Sequence, residues 1–187
     1  MGAGRSQRLE GAFTATLGVL VFAVLMILGA HVRIPLPWTP VPLTLQTLFL
    51  SLAGAALGGG LGALSQALYL GLGASGLPVF TGGAAAAALL GPTAGYLIGF
   101  VPAAALTGRL IHRTPAPGIL RIFGGMAAGI LVVHACGAFW LSWSWQLTPG
   151  QALLQGVVPF IPGDLLKAAA AAALFRGYRR MARPRSS

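Results

Sequence analysis

Long apolar runs separated by short polar breaks organise this chain. The first run, Gly11 to Ala30, ends in "HVRIPLPWTPVP", where four prolines and two basic residues enforce a loop. A second run covers Leu43 to Leu57 and a third Leu61 to Gly73, with the glycines at 58–60 as a tight connection. After "GASGLPVFTGG" a fourth run extends from Ala84 to Gly108, and the polar loop "RLIHRTPAPG" parts it from a fifth, Ile122 to Trp143. In "SWSWQLTPGQ" the tryptophans Trp143 and Trp145 stand as an interfacial belt. "ALLQGVVPF" reads as a short surface helix that Pro159 and Pro162 interrupt, and a last run opens at Gly163-Asp164 and ends near Arg176.

A membrane span needs about 20 apolar residues, fewer where the bilayer thins. The pattern therefore predicts an all-α membrane protein, one compact bundle of six transmembrane helices filling residues 1–187 with no soluble domain. The spans are placed at roughly 11–30, 43–57, 61–73, 84–108, 122–143 and 163–176, the third short enough to tilt or re-enter. The first is longer than a signal-peptide core and lacks a small-x-small cleavage site before His31, so it is expected to stay in place.

Composition agrees with lipid as the main solvent. Hydrophobic residues make up 56% of the chain and charged ones 7%, against about a quarter charged in a soluble domain. The net charge of +10 would suggest nucleic acid in a soluble protein, but here the arginines flank apolar runs and no basic–aromatic module is present. Six spans put both termini on one side. That side collects Arg5, Arg8, Arg109, Arg113, Arg121, Arg176, Arg179, Arg180, Arg183 and Arg185, while Arg33 stands alone opposite. By the positive-inside rule both termini are expected to be cytoplasmic.

This orientation gathers the remaining polar groups in the outer half of the bundle. The only aspartate, Asp164, and the only lysine, Lys167, lie in the first turns of the last span. A spacing of three puts both on one helix face. Charges at membrane depth persist when paired or when they face a wet cavity, so the pair is either a helix cap and packing ion pair or part of a ligand site. Thr44 and Gln46 open the second span from the same side, the loop Thr81, Gly82, Gly83 lies there, and Tyr96 sits within about three turns of that face. Gln46 and Tyr96 can each serve packing or a pocket.

Other candidates carry less. His134 has no acidic or histidine partner at i±3 or i±4 and reads as a hydrogen-bonded packing residue rather than a ligand; two acidic residues and three scattered histidines argue against a metal, and no cofactor is expected. "GASG" with His134 offers Ser75–His134 as a rhomboid-like intramembrane protease dyad, but Ser75 follows a helix where such a serine opens one. The single cysteine, Cys136, excludes an intramolecular disulfide. With no G-x-x-x-x-G-K-[ST], the chain cannot bind ATP through a P-loop, and uphill transport would need a partner or an ion gradient.

Taken in order, "PVPLTLQTLFLSLAGAALG", "GLPVFTGG", "GPTAGYLIGF" and "PFIPGDLLKA" resemble the BioY family, the biotin-specific substrate-binding (S) components of energy-coupling-factor (ECF) transporters. The resemblance runs from about Ile34 to Ala173. It implies a six-helix bundle in the bacterial cytoplasmic (inner) membrane that captures biotin from outside and is not an enzyme. It also implies a transmembrane coupling protein and ABC-type ATPases as partners, which would explain the missing P-loop; a homo-oligomer is left open. The family's Pro-Gly-Asp-x-x-Lys motif falls on Asp164 and Lys167, with Asp164 meeting the ureido N–H groups and Lys167 holding it ionised, or the reverse. Thr81, Gly82 and Gly83 would lie over the pocket, with Gln46 beside it and Tyr96, Phe80 and Phe160 as apolar walls. Two positions depart from the pattern: Ala84 and Leu97 stand where relatives carry a polar and a basic side chain. In place of the contacts missing there, Arg33 is a candidate partner for the biotin carboxylate, or an interfacial arginine. The small-xxx-small face that meets the coupling protein is represented by Gly11 and Ala15.

Overall fold

The computed structural model describes residues 3–182. Arg183 and Arg185, counted above on the arginine-rich side, lie outside that range, as do the side chains of Arg5 and Arg8. The protein is all-helical apart from one two-stranded ribbon. In chain order come α1 (Ala3–His31), β1 (Arg33–Ile34), β2 (Leu43–Thr44), α2 (Gln46–Ala74), α3 (Ala94–His112), α4 (Ile119–Ser144), α5 (Pro149–Gly156) and α6 (Ile161–Met181).

Among the described residues, five stretches are long and apolar enough to cross a membrane: Leu9–His31, Gln46–Ala74, Ala94–His112, Ile119–Ser144 and Pro149–Met181. Five elements thus stand where six separate helices were expected. Runs 43–57 and 61–73 fall within one element, α2, in which two helical segments meet at a kink at Gly58, among the glycines expected to connect them tightly. The element is not straight. Gly58 has φ 80 and ψ 176, a conformation essentially reserved for glycine. In a straight helix Gln46 and Tyr69 would be roughly 34 Å apart, yet Gln46 Nε2 donates to Tyr69 Oη at 2.8 Å. Likewise a Cβ on Gly62 would stand 3.0 Å from Gly54 Cα, where a straight helix would separate the two residues by about 12 Å. α2 therefore doubles back at Gly58.

A methyl group at Gly58 should strain this reversal. Gly58→Ala is expected to lower the thermal midpoint in detergent through a backbone cost of about 1–3 kcal/mol. Gly60→Ala, whose Cβ meets nothing within 4 Å, should leave the midpoint unchanged or raise it.

The second correction concerns the fourth run. Alanine-rich sequence suits a helix, but Gly91-Pro92 interrupts it, since proline removes a donor and clashes with the preceding turn. Residues 84–93 instead form an irregular segment with a single 3-10 turn, Ala86–Leu89, and α3 begins only at Ala94. The alanines 84–88 accordingly lie outside α3, which is shorter than the expected span 84–108.

Helix packing follows the small residues. α1 buries one stripe, Val19, Ala23, Met26 and Ala30, while Phe13, Leu17, Val24 and Leu28 stay exposed, as a lipid-facing surface requires. Between α3 and α4, Gly99 lies against Cys136 and Val133, and Gly125 against Ile111, so the two backbones approach closely. One buried cluster around Tyr69, Phe80, Tyr96, Phe100 and Phe160 surrounds the start of α6; another, around Ile111, Ile122, Met126 and Phe175, fills the opposite end. α5 is a short capped helix, with Thr148 and Gln151 forming a reciprocal capping box.

Candidate functional site

Asp164 occupies the first turn of α6 and is buried. Its Oδ1 lies 2.6 Å from Lys167 Nζ and accepts from Thr47 Oγ1 at 2.7 Å. Its Oδ2 lies 2.7 Å from His134 Nε2. Lys167 Nζ also donates to the Thr44 carbonyl at 2.8 Å. The first turn of α2, the middle of α4 and the first turns of α6 are thus tied to one carboxylate. A buried ion persists only when its hydrogen-bonding capacity is taken up in this way.

The network assigns a tautomer. A carboxylate only accepts, so His134 Nε2 carries the proton in this contact. The other ring nitrogen, Nδ1, is buried and has no partner among the described residues. The imidazole stacks on Phe160 at 6.0 Å and meets the Tyr96 ring edge-on at 6.4 Å. Tyr96 Oη donates to the Gly156 carbonyl at 2.7 Å, which fixes α5 against α3.

A cavity of about 50 Å³ opens beside this network, lined among others by Thr47, Tyr96, His134, Phe160, Asp164 and Lys167. A second cavity of about 270 Å³ adjoins it, lined by Arg33, Phe80, Thr81, Ala84 and Leu97; Pro42, Thr81, Thr93 and Leu97 line both. The site thus has an ionic end and a roomier end with an arginine.

The residues singled out from sequence fall into three groups. Asp164, Lys167, Gln46, Thr81, Tyr96 and Phe160 line the ionic cavity. Gln46 serves the wall as much as the space: its amide donates to Tyr69, and its Oε1 accepts from Thr44 and, at 3.4 Å, from Thr81. Arg33 and Phe80 line the second cavity instead, Phe80 packing edge-on against Tyr69 at 5.3 Å. Gly82 and Gly83 line neither cavity; both have positive φ, and the Arg33 guanidinium lies where a side chain on Gly82 would be. Gly11 is exposed with nothing near its Cβ position, and Ala15 is half-buried; both are remote in sequence from the site.

His134 and Ser75 complete the comparison. His134 is buried and hydrogen-bonded, and its partner is the buried carboxylate of another helix rather than a neighbour on its own. The protease dyad is not assembled: the exposed Ser75 hydroxyl donates to the Leu72 carbonyl at 2.7 Å, while His134 is engaged by Asp164. Thr47 was missed altogether.

Comparison with known proteins gives this geometry a context. The BioY family model matches residues 6–184. The chain belongs to the BioY family. Among its BioY relatives, a probable biotin transporter BioY of Lysinibacillus sphaericus is 39% identical over 166 residues, which is 83% of this chain and 82% of the relative. The biotin transporter BioY of Rhodobacter capsulatus is 41% identical over 167 residues, 81% of this chain and 85% of the relative. A crystal structure at 2.1 Å of the S-component for biotin from an ECF-type ABC transporter superposes with a TM-score of 0.85. It is 29% identical, with 91% of this chain and 93% of that one covered. A BioY protein is a transporter component, so the enzyme alternative falls here.

Proposed function

We propose that this protein binds biotin between the Asp164 network and the Arg33 cavity and imports it as the S component of an ECF transporter. The observation that carries the site is a buried ionic cluster, Asp164 with Lys167, His134 and Thr47, that borders a cavity rather than closing on itself. The biotin reading draws on the names of the relatives and on the structural match. Energy comes from partner ATPases through a transmembrane coupling protein, because the chain has no P-loop of its own.

In this arrangement α2 crosses the membrane twice through its reversal at Gly58, giving six crossings. The termini and the arginine-rich loops face the cytoplasm of a bacterial inner membrane, and the site opens outward. Three of the hydrogen-bonding positions on Asp164 are already taken. The ureido ring therefore meets the cluster as a whole: its carbonyl suits the Lys167 ammonium, and its N–H groups suit the remaining capacity of Asp164 and the unpartnered Nδ1 of His134. The valerate chain runs past Thr81, Thr93 and Leu97, and its carboxylate meets Arg33. The first cavity is smaller than a vitamin needs, about 300 Å³ or more for most ligands, so binding must spread its walls. The segment from Leu77 to Gly83 is the part proposed to move.

Binding of labelled biotin to the purified protein tests this directly; no measurable affinity would reject the reading. Arg33 provides a finer check. Arg33→Ala is expected to weaken biotin about tenfold to a hundredfold, the worth of a charge-assisted hydrogen bond. Biotin amide, which lacks the carboxylate, should bind wild type and variant alike. An equal loss for both ligands would remove Arg33 from the carboxylate.

A further inference from the structure

A third cavity, away from the biotin site, has a different chemistry. It measures about 270 Å³ and lies between the residues leading into α4, Ala116 to Gly118 with Ile122, and the last turns of α6, which contribute Arg176, Arg179 and Arg180. Its charge is unbalanced. The whole sequence holds two acidic side chains, Glu10 and Asp164. Among the described residues both salt bridges belong to Asp164. Three arginines therefore line one basin, and none of them is in a salt bridge among the described residues.

The basin is also ordered for an anion. Arg179 donates through Nη2 to the Pro115 carbonyl, and its guanidinium lies 5.9 Å from the centre of the Phe175 ring, which holds one arginine in place. Gly118, the N-cap of the 26-residue α4, lines the basin and offers no side chain that would fill it. Arginine forks favour phosphate oxygens. Around the basin Leu120, Tyr178 and Met181 are exposed, at 83%, 61% and 81%. Large apolar side chains beside an arginine cluster at the end of membrane helices match the boundary between headgroups and acyl chains.

We infer that this basin is a phosphate-anion site and that the phosphodiester headgroup of an anionic phospholipid occupies it. The inference does not rest on the biotin reading, since none of the basin residues lines either biotin cavity.

Native mass spectrometry of the full chain in detergent, titrated with phosphatidylglycerol or phosphatidylcholine of equal chain length, tests it. Phosphatidylglycerol should bind about tenfold more tightly, a preference in keeping with the attraction of basic side chains to anionic lipid. The preference should collapse in the variant Arg176→Gln, Arg179→Gln, Arg180→Gln and survive in Arg109→Gln, Arg113→Gln, which removes two arginines outside the basin. Should the triple variant fail to fold, the wild-type preference must still fade when ionic strength is raised, because the contact is electrostatic. A parallel titration with inorganic phosphate separates the sources. Phosphate binding that depends on the three arginines, without a lipid preference, overturns the headgroup and keeps the anion site. No binding in either arm, or an equal loss in the Arg109/Arg113 control, overturns the inference entirely.

Discussion

Exchanging Asp164 for asparagine is expected to weaken biotin binding about a hundredfold or more, as truncating one member of a buried, hydrogen-bonded charge pair does. The carboxylate accepts from Lys167, Thr47 and His134 at once. An amide of the same size has one accepting atom and one donating group. With its NH2 towards the ammonium, donor meets donor; turned the other way, the NH2 meets His134 Nε2 and drives the imidazole proton onto Nδ1, the atom proposed to accept from the ureido ring. The effect reaches beyond one lost contact, because the groups that would present themselves to the ureido ring are all positioned by that carboxylate. Isothermal titration of biotin into the purified variant measures it; affinity within a fewfold of wild type would show that the network is not where biotin binds.

Replacing Lys167 by alanine is the second large effect, and it acts on both folding and binding. The variant leaves Asp164 buried with its cation gone and frees the Thr44 carbonyl. Removing one partner of a buried pair costs about 3–5 kcal/mol of stability, and biotin affinity should fall about a hundredfold with it. A charge-neutral pair of substitutions separates the two consequences. Asp164→Asn with Lys167→Met removes the stranded charge and refills the volume, so thermal stability should return most of the way towards wild type. Biotin binding should not return. Recovery of both would make the pair a packing device and leave the vitamin elsewhere.

How much of this was legible beforehand differs residue by residue. Asp164 and Lys167 stood out because each is the only residue of its type and they are three apart on one helix, so local spacing was enough. Their partners were not legible by the same rule. Thr47 is 117 positions from Asp164 and His134 is 30 positions away. Spacing along α4 offers His134 no partner, because its partner comes from α6. Chain folding, not periodicity, brings these together, and a threonine inside an apolar run carries no signal of its own. A histidine within a membrane span did carry one, and weighing it against every intramembrane carboxylate rather than near neighbours would have found the pair.

The fold shows the same division. Apolar runs located α1, α4 and α6 to within a few residues at most of their ends, since lipid exposure imposes hydrophobicity continuously. The alanine run at 84–90 was misread because hydropathy sees its apolar character and not the break at Gly91-Pro92. At 58–60 the glycines mark the turning point, where two helical segments meet back to back at Gly58. Positive φ at Gly58 is a three-dimensional fact that sequence can only permit.

The structure of the protein with biotin bound is the most direct measurement of the central idea, that ligand and ionic cluster meet. The bicyclic ring should lie within hydrogen-bonding distance of Lys167, Asp164 or His134 Nδ1, with the carboxylate end towards Arg33. Biotin bound elsewhere, with the four-residue network closed and unaltered beside an untouched cavity, would contradict it.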